Sequence, residues 1–188
     1  MDIYRVVVFV HLFTLLVAAG ATAIMKLAIG RRTRARTVGE VLDWHNVLMA
    51  TSKVFPMCLA AFVITGGYML SVNRINAFST GFVVAGLVGV AFLLVSGMFL
   101  GVKGKALGQM LEGLAKKGAD QPAPKLAAPP LLAALPFINT FVAVSVAFDM
   151  VTKPTSIPVA LSVLAVGIVL GAVVGMRPTA APAQAPAT

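Results

Sequence analysis

Residues 78–102 read FSTGFVVAGLVGVAFLLVSGMFLGV, twenty-five consecutive residues without a charged side chain. About 20 apolar residues suffice for a helix to cross the hydrocarbon core of a bilayer. The whole chain is similar in character, because 59% of its 188 residues are hydrophobic and 11% are charged, against roughly 25% charged in soluble proteins. This composition excludes a soluble domain, and a single cysteine excludes an internal disulfide. A multi-pass membrane protein is therefore predicted.

Four further segments are long and apolar enough to span a membrane, which gives five in all. The five segments cover residues 3–29, 54–72, 78–102, 131–151 and 157–176. The first is expected to be retained as a span, because its start is not basic enough for a signal peptide. We therefore expect an all-α, polytopic transmembrane helical bundle over residues 1–177. A Pro/Ala-rich tail follows at residues 178–188.

The distribution of basic residues predicts how the spans are oriented. With the amino terminus outside, twelve basic residues face the cytoplasm: Lys26, Arg31, Arg32, Arg34, Arg36, Lys53, Lys103, Lys105, Lys116, Lys117, Lys125 and Arg177. Three, Arg5, Arg74 and Lys153, then lie outside. The positive-inside rule favours this arrangement, so we expect an outer amino terminus and a cytoplasmic carboxyl terminus in a bacterial cytoplasmic (inner) membrane.

The net charge of +9 has two explanations, nucleic-acid binding and membrane topology. The basic residues fall in gaps between apolar runs and have no interleaved aromatic residues, which a groove for single-stranded nucleic acid would need. Nucleic acid is therefore not expected as a partner. The basic loops are expected instead to contact anionic lipid head groups on the cytoplasmic side.

Two hydrophilic segments have the apolar spacing of amphipathic helices. Residues 38–52 predict an interfacial helix or a long cytoplasmic start to the second span, and Trp44, the only tryptophan, is expected to anchor it at the interface. In residues 103–117, apolar residues recur at i, i+3, i+4 and i+7 from Leu107, with lysines beside them. This second segment predicts a helix that lies on the inner leaflet.

Small residues spaced by four form stripes on two of the spans, and such stripes allow helices to pack closely. The predicted packing residues are Gly81, Ala85 and Gly89 on the third span and Gly167, Gly171 and Gly175 on the fifth. One interpretation is packing within the chain. The other is that the stripe on the fifth span docks another integral membrane subunit.

Two ionisable residues within the spans are functional candidates, because charges are costly in a bilayer. His11 lies in the outer half of the first span, and Asp149 lies near the outer end of the fourth. Asp149 is expected to pair with Arg5, Lys153 or His11 at the outer interface. The alternative is a proton or metal site.

Haem and copper can both be considered from the spacing of possible ligands. His45, the only other histidine, lies about 20 Å or more from His11 along the membrane normal, so a haem held by two histidines of this chain is excluded. Ligation by His11 with Met69 or Met150 stays open. For copper, soft ligands are required, and the candidates are His11, Met57, Cys58 and Met69, with Met98 at a depth similar to Met57 and Cys58.

The first two spans carry a recognisable pattern. An early histidine, His11, and the small residues 18–20 are followed by a basic loop and by a second span that ends Ile64-Thr65-Gly66-Gly67-Tyr68-Met69. This pattern resembles a family of predicted bacterial integral membrane proteins of unknown function, distantly similar to the copper-resistance D type. The resemblance implies copper handling, with His11 as the residue carried over.

Three functions follow from these observations. The sequence has no nucleotide-binding loop, hydrolase elbow or metalloprotease motif, so an enzyme acting alone is not expected. The leading hypothesis is a non-catalytic accessory subunit of a larger bacterial membrane complex, with no cofactor of its own. The alternatives are a copper- or haem-handling protein that uses His11 with methionines, and a small transporter or proton pathway around His11 and Asp149.

Overall fold

A computed structural model describes residues 2–124, 126 and 129–176, and within them the chain forms six helices and no strand. The helices are α1 (Ile3–Arg32), α2 (Val38–Ser52), α3 (Val54–Val72), α4 (Gly81–Ala115), α5 (Pro130–Thr152) and α6 (Ile157–Gly175). The predicted tail at residues 178–188 lies outside the described residues.

Five helical segments are long and apolar enough to cross a membrane, with α2 and α3 together counting as one. This confirms the all-α class and the expected number of candidate spans. The helix α1, with 30 residues, and α4, with 35 residues, are about 45 and 52 Å long at 1.5 Å per residue. Both are longer than the hydrocarbon core of about 30 Å. In each helix, the charged residues lie outside a stretch of at least 20 uncharged residues.

Side-chain pairs show that α1 runs antiparallel to α2 and α3. Arg32, at the end of α1, contacts His45 of α2, and His11, near the start of α1, contacts Thr65 of α3. We call the end of the bundle where α1 ends and α2 begins the basic end. Lys125 and Arg177, two of the residues expected there, lie outside the described residues.

The amphipathic segment at residues 38–52 forms a helix of its own, and its apolar face contacts protein. A capping arrangement begins α2: the Thr37 hydroxyl accepts from the Glu40 amide at 3.2 Å, and the Glu40 carboxylate accepts from the Arg36 amide at 2.7 Å. Buried Val41 and Leu48 lie on a helix that packs against both α1 and α4. This apolar face is therefore covered by other helices of the chain, and α2 leads directly into α3.

The expected separate helix at residues 103–117 is instead the continuation of α4, which is one helix to Ala115. No proline interrupts it, so nothing ends the helix at the membrane surface. Its apolar face packs on α2, because a Cβ at Gly104 would lie 2.7 Å from the Met49 sulfur and one at Gly108 would lie 3.0 Å from His45 Nε2. Leu111, one turn further on this face, is fully buried.

The main apolar core lies where α4, α5 and α6 meet, and α5 and α6 form the closest helix pair. Its buried members are Ala85, Ala134, Ile138, Val142, Ala160 and Leu164. Backbone hydrogen bonds close both ends of the bundle. At the basic end, Val38 donates to the Gln121 carbonyl at 2.9 Å, and at the opposite end Gly81 donates to the Thr155 carbonyl at 2.9 Å.

Candidate functional site

Asp149 is the most unusual polar residue among those described. Its side chain is 0% exposed, and neither carboxyl oxygen has a hydrogen-bond partner within the described part of the chain. It lies on the buried face of α5, which also carries Ala134, Ile138, Val142 and Ser145 at intervals of three and four residues. The same helical spacing that builds the core therefore places this carboxyl group inside it.

The basic residues expected to pair with Asp149 do not do so. Among the described residues, the one ion pair joins Arg5 to Asp2 at 3.6 Å. Lys153 ends α5 in a left-handed conformation with φ of 49°, and its backbone amide donates to the Asp149 carbonyl at 2.8 Å. His11 is hydrogen-bonded to Thr65. The expected salt bridge at the outer interface is therefore absent from the described residues.

Polar side chains of α5 lie between Asp149 and the basic end, and two of them contact neighbouring helices. The Ser145 hydroxyl, one turn away, donates to the Val163 carbonyl of α6 at 3.1 Å. The Ser96 hydroxyl of α4 donates to Asn139 Oδ1 at 2.8 Å. At 1.5 Å per residue, these groups are about 6 and 15 Å from Asp149 along the helix. Polar side chains thus continue from Asp149 toward the middle of α5.

A second candidate site joins α1 and α3 through His11. The Thr65 hydroxyl donates its only proton to the Ala61 carbonyl at 2.6 Å. The hydrogen bond of 2.7 Å between His11 Nδ1 and Thr65 Oγ1 is therefore donated by the imidazole. A neutral ring in this tautomer keeps a lone pair on Nε2, which can bind a proton, a metal or haem iron. The ring packs edge-on against Phe62, with centroids 5.0 Å apart.

The methionines and the cysteine predicted as copper ligands cannot all lie around His11. Met57 is 74% exposed, while its neighbour Cys58 is buried. Met57 and Met69 are twelve residues apart on α3, or about 18 Å, so one ion cannot bind both. Met150 packs against α4, since a Cβ at Gly86 would lie 2.6 Å from its terminal methyl. Within the described ranges, no group of three His, Cys, Asp or Glu side chains could hold a metal.

A third polar cluster, centred on His45, was not predicted from the sequence. Arg32 Nη1 donates to His45 Nδ1 at 3.3 Å, so the ring proton lies on Nε2, which donates to the Gly104 carbonyl at 3.0 Å. The cluster joins α1, α2 and α4 at the basic end. The sequence feature that could have predicted this cluster is the position of His45 on the apolar face of α2, between Val41 and Leu48.

The predicted packing stripe on α6 contacts another helix of the same chain. A Cβ at Gly171 would lie 2.5 Å from Ile138 Cα, and one at Gly175 would lie 2.5 Å from Ala134 Cα, so α6 approaches the backbone of α5 closely. A Cβ at Gly167 would overlap the hydroxyl of Ser145. This face of α6 is therefore occupied by α5.

The predicted packing stripe on α4 is also covered by other parts of the chain. Gly81 is covered by the loop before α6, because a Cβ there would lie 2.5 Å from the Ser156 carbonyl oxygen. Ala85 is fully buried in the core, and a Cβ at Gly89 would overlap the side chain of Val146. Trp44 is half-buried on α2. Its role as an interface anchor stays a prediction.

Comparisons with protein-family models, with curated proteins and with solved structures find no match for this chain. The resemblance of the first two spans to the copper-resistance D type therefore stays a prediction. The same holds for membership of a larger membrane complex and for a bound haem or copper.

Proposed function

We propose that this protein is a multi-pass protein of the bacterial cytoplasmic membrane that binds and releases a proton at Asp149. The proposal is carried by the Asp149 carboxyl group, which is fully buried and has no hydrogen-bond partner among the described residues. An ionised carboxylate in apolar surroundings is strongly destabilised unless a proton or cation neutralises it. Intramembrane carboxylates of this kind serve as proton relays in pumps and transporters.

A proton suits this position better than a larger cation does. Asp149 is 0% exposed, so a basic side chain of another subunit would reach it only after the helices separate. Metal binding would need further ligands, and Asp149 belongs to no group of three His, Cys, Asp or Glu side chains in the described part of the chain. A proton needs neither space nor additional ligands. Proton exchange is therefore the simplest chemistry for this group.

The position of Asp149 also fits one end of a proton route. It lies three residues before the end of α5, which is about 4.5 Å, so a short opening of this end would connect it with water. From there, Ser145 and the Ser96–Asn139 pair provide hydroxyl and amide groups deeper along the helix. We propose that protons enter at Asp149 and pass these groups toward the middle of α5.

The test uses purified protein in proteoliposomes that enclose a pH-sensitive dye, with a potassium gradient and valinomycin to set the membrane potential. We expect the wild type to acidify or alkalinise the lumen and Asp149→Asn to lose this flux. Asp43→Asn is the matched control, because it makes the same chemical change at an exposed residue of α2. Equal flux in the wild type, in Asp149→Asn and in empty vesicles would overturn the proposal.

Infrared spectroscopy tests the protonation state itself. We expect the wild type at neutral pH to show the carbonyl stretch of a buried protonated carboxylic acid, and Asp149→Asn to lack it. A wild-type spectrum without this band would show that Asp149 is ionised, which contradicts the proposal even if proton flux is observed.

A second candidate function, metal or haem binding, is favoured by the free Nε2 lone pair of His11. Histidine ligands commonly donate their other ring nitrogen to a fixed partner, as His11 does to Thr65. We expect any bound copper or haem, measured by elemental analysis and absorbance of protein purified from its native membrane, to be lost in His11→Ala. Wild-type protein free of metal and haem would contradict this second function.

A further inference from the structure

We propose that the groove at the end of α1 binds the phosphate-bearing head group of one anionic phospholipid. The groove has a volume of about 210 Å³ and is lined by Lys26, Leu27, Gly30, Arg31 and Arg34. Three of its five lining residues are cationic and the other two are uncharged. This composition matches a ligand with a charged head and an apolar body.

The three cations have no acidic partner in the described part of the chain, where the one ion pair joins Arg5 and Asp2 at the opposite end of α1. Helix-dipole compensation is a simpler explanation for basic residues in the last turn, and it accounts for Arg31 and Arg32. It does not account for Lys26, more than one turn earlier, or for Arg34, which lies beyond the helix. An external anion accounts for all three groove residues.

Lys26 marks the depth at which this ligand would lie. It is five residues before Arg31, or about 7.5 Å along α1, and so reaches further into the apolar part of the helix. Its ammonium lies 3.7 Å from the centroid of the Phe137 ring of α5, a cation–π contact that holds the charge between two helices. A phospholipid whose phosphate lies between Lys26 and the two arginines would direct its acyl chains along Leu27 and the apolar surface of α1.

Gly30 keeps the groove open. A Cβ at this position would have no atom within 4 Å, so a side chain added there would occupy the groove without displacing the protein. Gly30→Leu therefore blocks the site while it leaves every charge in place. This variant separates binding in a shaped groove from general attraction to a basic surface.

The experiment measures lipid retention by native mass spectrometry, with full-length protein extracted from vesicles of phosphatidylglycerol and phosphatidylcholine. We expect the wild type to retain one phosphatidylglycerol per chain. Arg31→Gln with Arg34→Gln should weaken this binding about twenty-fivefold, at about fivefold per interfacial arginine, and Gly30→Leu should abolish it. Both arginines are exposed, so their replacement leaves the fold intact.

Two matched controls accompany these variants. Lys116→Gln with Lys117→Gln removes the same charge from exposed residues at the same end of the bundle. Gly97→Leu places the same side chain at another helical glycine with no atom within 4 Å of its Cβ. We expect both controls to retain the lipid as the wild type does.

Three results would overturn the inference. Equal loss in the arginine and lysine double variants would show diffuse electrostatic attraction, and unchanged retention in Gly30→Leu would show that the groove is not the site. Displacement of phosphatidylglycerol by an equal concentration of inorganic phosphate would assign the groove to a free anion rather than to a lipid.

Discussion

At the scale of single residues, the hydrogen bond between His11 and Thr65 is the clearest polar link between two spans. Thr65→Val keeps the shape of the side chain but removes the acceptor for His11 Nδ1. We expect the free energy of unfolding, measured by titration with sodium dodecyl sulfate in mixed micelles, to fall by about 0.6 kcal/mol and by no more than about 1.7, the range for interhelical hydrogen bonds in membranes.

Thr22→Val is the matched control for this prediction. The Thr22 hydroxyl donates only to the Ala18 carbonyl of its own helix, at 2.8 Å, so its loss breaks no contact between helices. We expect a smaller change in the free energy of unfolding than in Thr65→Val. Equal changes in the two variants would mean that the His11–Thr65 contact adds nothing beyond the local effect of losing a hydroxyl.

The sequence was informative about which residues matter at this scale and uninformative about their partners. An ionisable residue in an apolar run stands out by composition alone, so His11 and Asp149 could be singled out. The partner of His11 depends on the register between α1 and α3, which the intervening loop and α2 set together. The isolation of Asp149 was not foreseen, because a basic residue nearby in sequence, such as Lys153, can point away from the carboxylate.

At the scale of helices, the close contact of α5 with α6 depends on glycine. A Cβ at Gly171 would lie 2.5 Å from Ile138 Cα and 2.8 Å from its amide nitrogen, and backbone atoms cannot move aside as a flexible side chain can. We therefore expect Gly171→Ala to separate the two helices and to lower the free energy of unfolding by about 1–3 kcal/mol, the usual cost of overpacking. Thermal unfolding in detergent measures this effect.

Gly97→Ala provides the comparison, since a Cβ at Gly97 has no atom within 4 Å. There the only change is the higher helix propensity of alanine, and we expect unchanged or slightly raised stability, by up to about 1 kcal/mol. A Gly171→Ala protein that unfolds at the same temperature as Gly97→Ala would contradict the close packing of α5 and α6.

Helix by helix, apolar length predicted the candidate spans well, whereas apolar spacing was ambiguous. The five spans follow from runs of about 20 apolar residues, a requirement that the bilayer thickness sets. Residues 38–52 were expected as an interfacial helix or as the start of the second span, and residues 103–117 as a helix on the inner leaflet. The two segments pack against each other, and the first also packs against α1. An apolar face requires burial but does not specify whether lipid or protein buries it, so spacing alone cannot separate the two cases.

At the scale of the whole molecule, the long helices place the basic residues at one end of the bundle. The turns of α1 and α4 beyond the length of a span carry Lys and Arg, and α2 packs between them. The three helices would therefore form a short extension from the membrane, with the groove of Lys26 and Arg31 near its base. The positive-inside rule predicts that such an extension lies in the cytoplasm.

This orientation can be tested with single cysteines and a membrane-impermeant maleimide on intact cells. Thr155→Cys lies in the exposed loop between α5 and α6, at the end opposite the basic end, and Asp120→Cys lies in an exposed turn at the basic end. Because the sequence predicts twelve of its fifteen basic residues on the side of Asp120, we expect Thr155→Cys to be labelled in intact cells and Asp120→Cys only after the membrane is permeabilised.

The native cysteine does not confuse this measurement, because Cys58 is buried within α3, and wild-type protein should remain unlabelled in intact cells. Labelling of Asp120→Cys before permeabilisation, with Thr155→Cys protected, would place the amino terminus in the cytoplasm. Asp149 would then open toward the cytoplasm rather than the outside, and the proposed lipid groove would face the outer leaflet. The orientation therefore decides from which side a proton reaches Asp149, and it should be measured before the direction of proton flux is interpreted.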